Sequence, residues 1–378
     1  MRETLCQTLG AERCDFYGTG KRALTAALSE SVAREQGGKF VLVSAYGCPD
    51  VPASVVAAGF KPWLVDVDPQ TIDLLADSIP DDVARDSVGI VLSNLYGMAD
   101  SLPMGGSQYR ALPSDIVVID DASQAALTHT DIGTVGLREG TRLGVLSFGR
   151  GKSLSAYGGG AVVGRCVSTR VEVAQSQSGK RNGQLTSLGV FGEFSLLVRA
   201  YILSSLERPE LYGILSRVPF LGLGQANYPD NLGPEIISRF QSYGLLAMIH
   251  SLDSRREVRR RHMRIWEEEL GGISQIVLPH LNRGESGVTL SRLPLLFPSR
   301  DMRDRLLPAL VAAGASVSYP IPLHRFSQLD DCVPEGIRFP GADRVADTIM
   351  TLPVHEKVSS GVIKKVAKTI RGVAAAWI

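Results

Sequence analysis

The sequence predicts an α/β fold: a large domain with a mostly parallel sheet flanked by helices, then a smaller C-terminal α+β domain. Two observations predict it. Short apolar runs from residue 16 to about 165 are continuous rather than alternating, the pattern of strands covered on both faces. Helix-like stretches separate them, which is the order of a parallel sheet with crossover helices.

The first strand of this series is Phe40-Val41-Leu42-Val43-Ser44. A helix follows over Pro49 to Ala58, with proline tolerated in its first turn. Pro62-Trp63-Leu64-Val65 is the next strand, stopped by Asp66-Val67-Asp68-Pro69. The pattern repeats in Gly89 to Ser93, Ile116 to Ile119, Leu143 to Ser147 and Gly160 to Val163. Residues 166 to 235 carry polar loops, an apolar helix over 188–206 and a Pro/Gly-rich stretch ending near Asn227-Tyr228-Pro229. One or two long helices are expected over 234–270, and short strands and helices follow from about 275. The expected division is a large domain over 1–240 and a small one over 241–378.

Composition narrows the function classes. Forty Lys and Arg against 39 Asp and Glu give a net charge of +1, so nothing points to nucleic acid or an anionic membrane. The basic run Arg255 to Arg264 is expected to be a solvated helix face or a subunit surface. The stretch 188–206 includes Glu193 and Arg199 and reads as a buried or interface helix rather than a membrane span. Five scattered cysteines without a CxxC argue against a disulfide scaffold or zinc ribbon and fit a reducing cytoplasm. No metal site is expected: His129, His250, His262 and His280 lack metal-ligand spacing and are expected to be surface or structural.

Two segments carry chemistry. In Val117 to Ala125 a hydrophobic strand ends in Asp120 and Asp121. Ligands of open α/β sheets bind beyond the carboxyl ends of the strands, so these acids face a site; one alone could merely cap a helix. In Ser147-Phe148-Gly149-Arg150-Gly151-Lys152 a strand runs into a glycine-rich turn bearing a lysine, followed by Gly158-Gly159-Gly160. A lysine near fixed positive charge and partly desolvated is a competent amine nucleophile. Gly151-Lys152-Ser153 looks like the end of a P-loop, but the position needing the earlier glycine is Leu146, which disfavours a nucleotide triphosphatase. Gly18-Thr19-Gly20-Lys21 lacks a strong preceding strand and the third glycine of a dinucleotide fingerprint. It opens a helix-like run, Ala23 to Leu28, whose N-terminus offers N–H groups to a phosphate; a simple helix-entry turn is the alternative.

In this order, these parts resemble the DegT/DnrJ/StrS family of PLP-dependent sugar aminotransferases, of the aspartate-aminotransferase fold type. The carrying phrases are Ser44 to Pro49, Pro62 to Asp68, Leu95-Tyr96-Gly97, Ile119 to Ala125 and Ser147 to Lys152. The likeness returns in Pro234–Leu270, Tyr319 to His324 and Thr351 to His355.

The resemblance implies pyridoxal 5′-phosphate as cofactor, held as a Schiff base on Lys152, the catalytic residue. Asp121 aligns with the carboxylate that pairs with the pyridine nitrogen, and Gln124 with the contact to the ring's phenolic oxygen. Ser147, with Thr19, Gly20 and Lys21, falls where phosphate is bound. Tyr46 or Cys48 falls in the turn over the ring face. Asn227 is the nearest match to an asparagine lent to the neighbouring subunit's phosphate. Tyr96, Tyr319 and His324 are the implied substrate contacts. Lysine at 152 argues for transamination, since a branch that removes a sugar hydroxyl has histidine there. Cys48 stands where an aromatic residue is usual, Asn94 where a histidine often precedes Leu-Tyr-Gly, and Lys21 where threonine is more usual.

The implied activity is transfer of an amino group, with glutamate as the expected donor, to a keto group on a nucleotide-linked sugar or cyclitol. Small molecules are then the partners, together with a second copy in a homodimer. Two alternatives remain: a PLP enzyme acting on a non-sugar substrate by decarboxylation, elimination or carbon–carbon bond formation, and a non-catalytic sensor or binding subunit.

Overall fold

The computed structural model describes residues 1–32, 40–101, 112–165, 190–206, 227–284, 286–333 and 335–375. Its large sheet is built from β1 (Arg13–Tyr17), β2 (Phe40–Ser44), β3 (Lys61–Val65), β4 (Ser87–Leu92), β5 (Val117–Asp121), β8 (Leu143–Ser147) and β9 (Gly160–Gly164). A two-stranded ribbon, β6 (His129–Thr130) with β7 (Gly133–Thr134), lies between β5 and β8 in sequence. The order across the large sheet is β1-β9-β8-β5-β4-β2-β3. β9 runs against both of its neighbours; every other pairing in the sheet is parallel.

The apolar runs became strands because both sheet faces are covered. All six residues of β4 are buried. Along β9, Val162 joins one apolar cluster while Ala161 and Val163 join another, the two-residue alternation of a pleated strand. The expected strands appear with small shifts at their ends. β1 is an addition: a strand does precede Gly18-Thr19. Its residues, Arg-Cys-Asp-Phe-Tyr, mix polar and apolar positions because β1 is an edge strand and is mostly only half-buried.

Helices α1 (Arg2–Leu9), α2 (Gly20–Ser31), α3 (Asp50–Ala57) and α4 (Asp81–Arg85) belong to the first half. The apolar stretch becomes α5 (Val190–Leu206), and 234–270 yields two helices, α6 (Arg239–Ile249) and α7 (Leu252–Leu270). Glu193 of α5 accepts hydrogen bonds from Arg239 N and Phe240 N at 3.0 and 2.9 Å, capping α6 from outside. Among the described residues no helix is long and apolar enough to cross a membrane.

The C-terminal part holds α8 (Pro279–Asn282), β10 (Arg292–Leu296), α9 (Arg300–Leu310), α10 (Pro340–Thr348), β11 (Ile349–Pro353) and α11 (Ser360–Ala374). β10 and β11 pair antiparallel, and α11 packs on α7. The basic run on α7 departs from a solvated face. Arg259 is buried, with Nη1 donating to the carbonyls of Leu290 and Ser291 at 3.3 and 3.1 Å. Arg255 pairs with Glu356. The run therefore ties α7 to the segments beside β10 and β11.

Candidate active site

Five strands of the large sheet end at one cavity. Its volume is about 220 Å³, and its walls include Thr19 and Gly20 after β1, Cys48 after β2, Ser93 after β4, Asp121 at the end of β5 and Ser147 of β8, with Lys152 beyond it. Parallel strands bring their carboxyl ends, and the turns that follow, to the same edge.

Asp120 and Asp121 are adjacent in a strand, so their side chains leave opposite faces. Asp120 is fully buried and enclosed by donors: Arg138 Nη2 at 2.6 Å and Nε at 2.9 Å, Gly136 N at 2.7 Å and Asn94 Nδ2 at 2.8 Å. Asp121 faces the cavity and is only 7% exposed. Ser123 N donates to it at 2.9 Å. Burial pushes the Asp121 carboxyl above the ordinary carboxylate range, although the Ser123 hydrogen bonds and the Lys152 charge oppose this. A carboxylate in this condition gains most from a cation brought against it.

Asn94, where a histidine is more usual, is likewise buried. It sits in left-handed backbone (φ 44°), bonds the two acids' segment through Asp120 and the Asp121 carbonyl, and accepts from Asp100 N at 2.9 Å.

Gln124 follows Asp121 by one turn of chain. Tyr96 N donates to its Oε1 at 3.1 Å, and its Nε2 donates to the Tyr319 hydroxyl at 3.0 Å. Cys48 lies beside Asp50, Lys152 and Asp121. Burial, with Asp50, pushes its thiol up to about 12, so it stays protonated at neutral pH.

Thr19, Gly20, Lys21 and Ser147 also line the cavity. Thr19 caps α2: its hydroxyl accepts from Arg22 N at 3.1 Å and donates to the Leu232 carbonyl at 2.6 Å. Gly20 allows a close approach. A Cβ there would lie 2.9 Å from both Cβ and Oγ of Ser147. Lys21 Nζ lies 3.6 Å from Asp50 Oδ1, so part of its charge is already answered.

A larger cleft of about 630 Å³ shares Cys48, Asp50, Gln124 and Lys152 with the cavity. Tyr96, Tyr319 and Asn227 line it, so this subunit's own Asn227 borders its own cleft. Arg150, Arg255, Arg259, Arg292 and Lys357 also line it, against the acids Asp50 and Glu356. Sequence reasoning missed this gathering, because its members come from the turn after β8, from α7, from β10 and from the segment after β11. Arg138 and Asn94 were missed as partners of Asp120 for the same reason: nothing in their spacing signals a contact across 18 or 26 positions.

Two expected residues lie elsewhere. Tyr46 is fully buried and lines neither space; its hydroxyl donates to the Ser318 carbonyl at 2.8 Å and meets Tyr96 Oη at 2.8 Å. Of the two candidates for the turn over a ring, Cys48 is the one that faces the cavity. His324 lines neither space. Its ring stacks on Phe339 with centroids 5.0 Å apart, and Nε2 lies 3.3 Å from Asp343. His262 and His280 are internal, bonded to the Val354 carbonyl and Glu267, and no cluster of three metal-ligating side chains occurs among the described residues.

The arrangement fits pyridoxal phosphate. An amine and a buried carboxylate in want of a cation border one small cavity, which a capped helix N-terminus with a glycine and a serine also lines. A mostly parallel sheet with this equipment beyond its strand ends is that of a pyridoxal-phosphate-dependent enzyme. Comparison with known proteins agrees with that class. The chain belongs to the DegT/DnrJ/EryC1/StrS aminotransferase family, whose model matches residues 1–180 and 237–371. It is 25% identical over 379 residues to a dTDP-4-amino-4,6-dideoxy-D-glucose transaminase of Shigella dysenteriae, covering 98% of this chain and 88% of that protein. It is 26% identical over 366 residues to a pleiotropic regulatory protein of Geobacillus stearothermophilus, covering 94% and 84%. The fold matches a Streptococcus pneumoniae protein described as a sugar aminotransferase. The PMP form gives a TM-score of 0.72 at 15% identity, covering 99% of this chain and 89% of that one. The PLP form gives 0.70 at 15% identity, covering 100% and 91%.

Proposed function

We propose that this enzyme moves an amino group from an amino acid, with glutamate as the expected donor, to a keto group on a nucleotide-linked sugar or cyclitol. The observation that carries the reading is that Lys152 and Asp121 border the same cavity beyond the sheet. Pyridoxal phosphate, when bound, supplies the electron sink for the reaction. Lys152 would hold it covalently and, once displaced by the donor's amine, hold and move the proton at the donor's α-carbon. Asp121 would keep a proton on the ring nitrogen; an ion pair at 4 Å and effective ε near 20 is worth roughly 4 kcal/mol before desolvation. Gln124 would donate to the ring oxygen. Thr19, Gly20, Lys21 and Ser147 would receive the phosphate, and Cys48 would lie against the ring. Tyr96 and Asn227 would contact the substrate side, and Tyr319 stands beside them in the cleft wall.

The cationic lining of the larger cleft favours an acceptor carrying a diphosphate over a neutral one. The Shigella transaminase, whose name specifies a dTDP-linked amino sugar, supports the same choice. We further propose a cytoplasmic homodimer with domains over 1–240 and 241–378. The exposed apolar face of α5, with Phe194 62% and Tyr201 74% exposed, supports a second copy covering it. Sedimentation showing an active monomer would count against the dimer.

The test is borohydride reduction of the holoenzyme followed by peptide mapping. The cofactor should be fixed to the Lys152 peptide, and glutamate added beforehand should abolish the fixation by converting the cofactor to its amino form. A Lys152→Ala protein that turned over normally would end the proposal. Fixation at Lys152 that persists under every amino donor would instead favour a different PLP reaction.

A further inference from the structure

Gln124 sits between two tyrosines, and its orientation is settled by its neighbours. A backbone N–H can only donate, so the atom facing Tyr96 N at 3.1 Å is the amide oxygen. The amide nitrogen is therefore the end toward Tyr319, whose hydroxyl accepts from it at 3.0 Å. That nitrogen carries two hydrogens. Tyr319 takes one, and the other is left for the cavity that Gln124 lines.

Both tyrosines hold unusual backbone. Tyr96 has φ 61° and Tyr319 has φ 50°, the left-handed region that bulky residues rarely occupy. Such conformations persist only where their surroundings over-determine them. Here they do. Gly97, next to Tyr96, packs so closely that an added Cβ would lie 2.6 Å from the Thr289 carbonyl oxygen. On the other side, Ser316 exchanges backbone hydrogen bonds with Thr351 at 3.0 and 2.8 Å. The Ser318 carbonyl accepts from Tyr46 Oη, and Leu323 N donates to the Ala45 carbonyl at 2.9 Å. The segment bearing Tyr319 is thus stitched on both sides to the end of β2.

We infer that Tyr319 is a positioning residue: its hydroxyl, held by the strained 316–323 segment, fixes the Gln124 amide so that an N–H points at the cofactor's ring oxygen. The inference rests on Gln124 facing that oxygen, as proposed above. It assigns Tyr319 a role through Gln124, distinct from a contact with substrate. The titratable and charged groups around Tyr319 are Tyr46, Cys48 and Asp50 after β2, Tyr96 after β4 and Asp121 of β5. Burial pushes the Tyr319 hydroxyl well above its ordinary value, so it stays protonated across the useful range and its effect on Gln124 is constant.

The test uses the holoenzyme without substrate. The pH midpoint of the bound cofactor's visible absorption would be measured in the wild type, Tyr319→Phe, Gln124→Ala and the double variant. A donor at the ring oxygen favours its anionic form, so weakening that donor raises the midpoint. Gln124→Ala should raise it by about one pH unit, a tenfold change in the proton equilibrium. Tyr319→Phe, which keeps the ring and its packing, should raise it by about half a unit. The double variant should match Gln124→Ala alone, because Tyr319 has nothing left to act through. An unmoved midpoint in Tyr319→Phe with only KM raised would make Tyr319 a substrate contact and overturn the inference. So would a double variant whose shift is the sum of the single ones. An unmoved midpoint in Gln124→Ala would remove the premise about Gln124 itself. None of these readings depends on which acceptor the enzyme uses.

Discussion

Replacing Asp120 by Asn and, separately, Asp121 by Asn should damage the protein in opposite ways, though the residues are neighbours in one strand. Asp120 and Arg138 face each other at 2.6 and 2.9 Å, 0% and 3% exposed as side chains. At 2.6 Å and an effective ε near 20 the attraction is roughly 6 kcal/mol before desolvation. Breaking such a pair from one side typically costs about 3–5 kcal/mol, because the remaining charge is buried without a partner. The other neighbours of Asp120, Gly136 N and Asn94 Nδ2, are also donors, so an amide at 120 would turn N–H toward N–H. Asp120→Asn should therefore lose about 3–5 kcal/mol in urea unfolding of the cofactor-free protein. Asp121→Asn should not. Its carboxyl is raised in the folded state, so the folded protein holds that proton more tightly than the unfolded chain, and stability is lost as pH rises through the raised value. Removing the charge should leave the cofactor-free protein as stable or more stable at neutral pH, with the advantage shrinking in acid. Its cost should appear in cofactor affinity, bounded by the roughly 4 kcal/mol of the lost ion pair, near a thousandfold. Far-ultraviolet circular dichroism against urea measures the first quantity and cofactor titration the second. Equal destabilisation by the two substitutions, or undiminished cofactor binding in Asp121→Asn, would refute the division of roles.

Other outcomes follow from the same geometry. Gly20→Ala drives a methyl against Ser147 and should weaken cofactor binding by about 1–3 kcal/mol with little change in far-ultraviolet circular dichroism, checked by cofactor titration. Cys48, with its thiol pushed up to about 12, has a thiolate fraction of roughly 10⁻⁴ at pH 8, so iodoacetamide should modify it about a thousandfold more slowly than an unfolded-chain cysteine. Mass spectrometry of timed samples checks this, and rapid labelling at Cys48 in the native protein would contradict it. Glu193→Ala should remove the outside cap of α6 and cost about 1 kcal/mol, visible as faster amide exchange at Arg239 and Phe240. Arg259→Met should weaken the join between α7 and the segments before β10, lowering stability by about 1–3 kcal/mol in the same urea assay, since the Leu290 and Ser291 carbonyls lose a buried donor.

Much of the site was legible because strand ends are. A hydrophobic run stopping at Asp120-Asp121 and another running into Lys152 announce side chains at one sheet edge. Strand alternation alone implies that only one of the two acids can face it. What could not be read is which structures answer the other acid: Arg138 and Asn94 reach Asp120 only through the crossing of three separate turns. Cys48 and Tyr46 were inseparable in sequence, being two residues apart, and the fold alone sends Tyr46 inward to Ser318. β1 escaped notice since an edge strand has one polar margin and its composition resembles a loop. Arg255 and Arg259 were visible within a basic run but not as a lining, because Arg150, Arg292 and Lys357 join them at the larger cleft only through the fold.

The placing of β1 has a consequence for how the chain is made. Among the described residues its only sheet partner is β9, residues 160–164, and the turn after it is fastened by residues 229–235: Gly18 N donates to the Glu235 carbonyl at 3.1 Å, and Arg22 Nε to the Gly233 carbonyl at 2.8 Å. During synthesis β1 therefore waits unpaired for residues 160–164 to emerge, and the turn after it waits for residue 235, by which point more than half the polypeptide has been made. Closing so wide a loop is slow relative to the local pairing of β2 with β3, so the cofactor pocket is among the last features to be completed, and a nascent chain halted before residue 235 has no finished place to receive it.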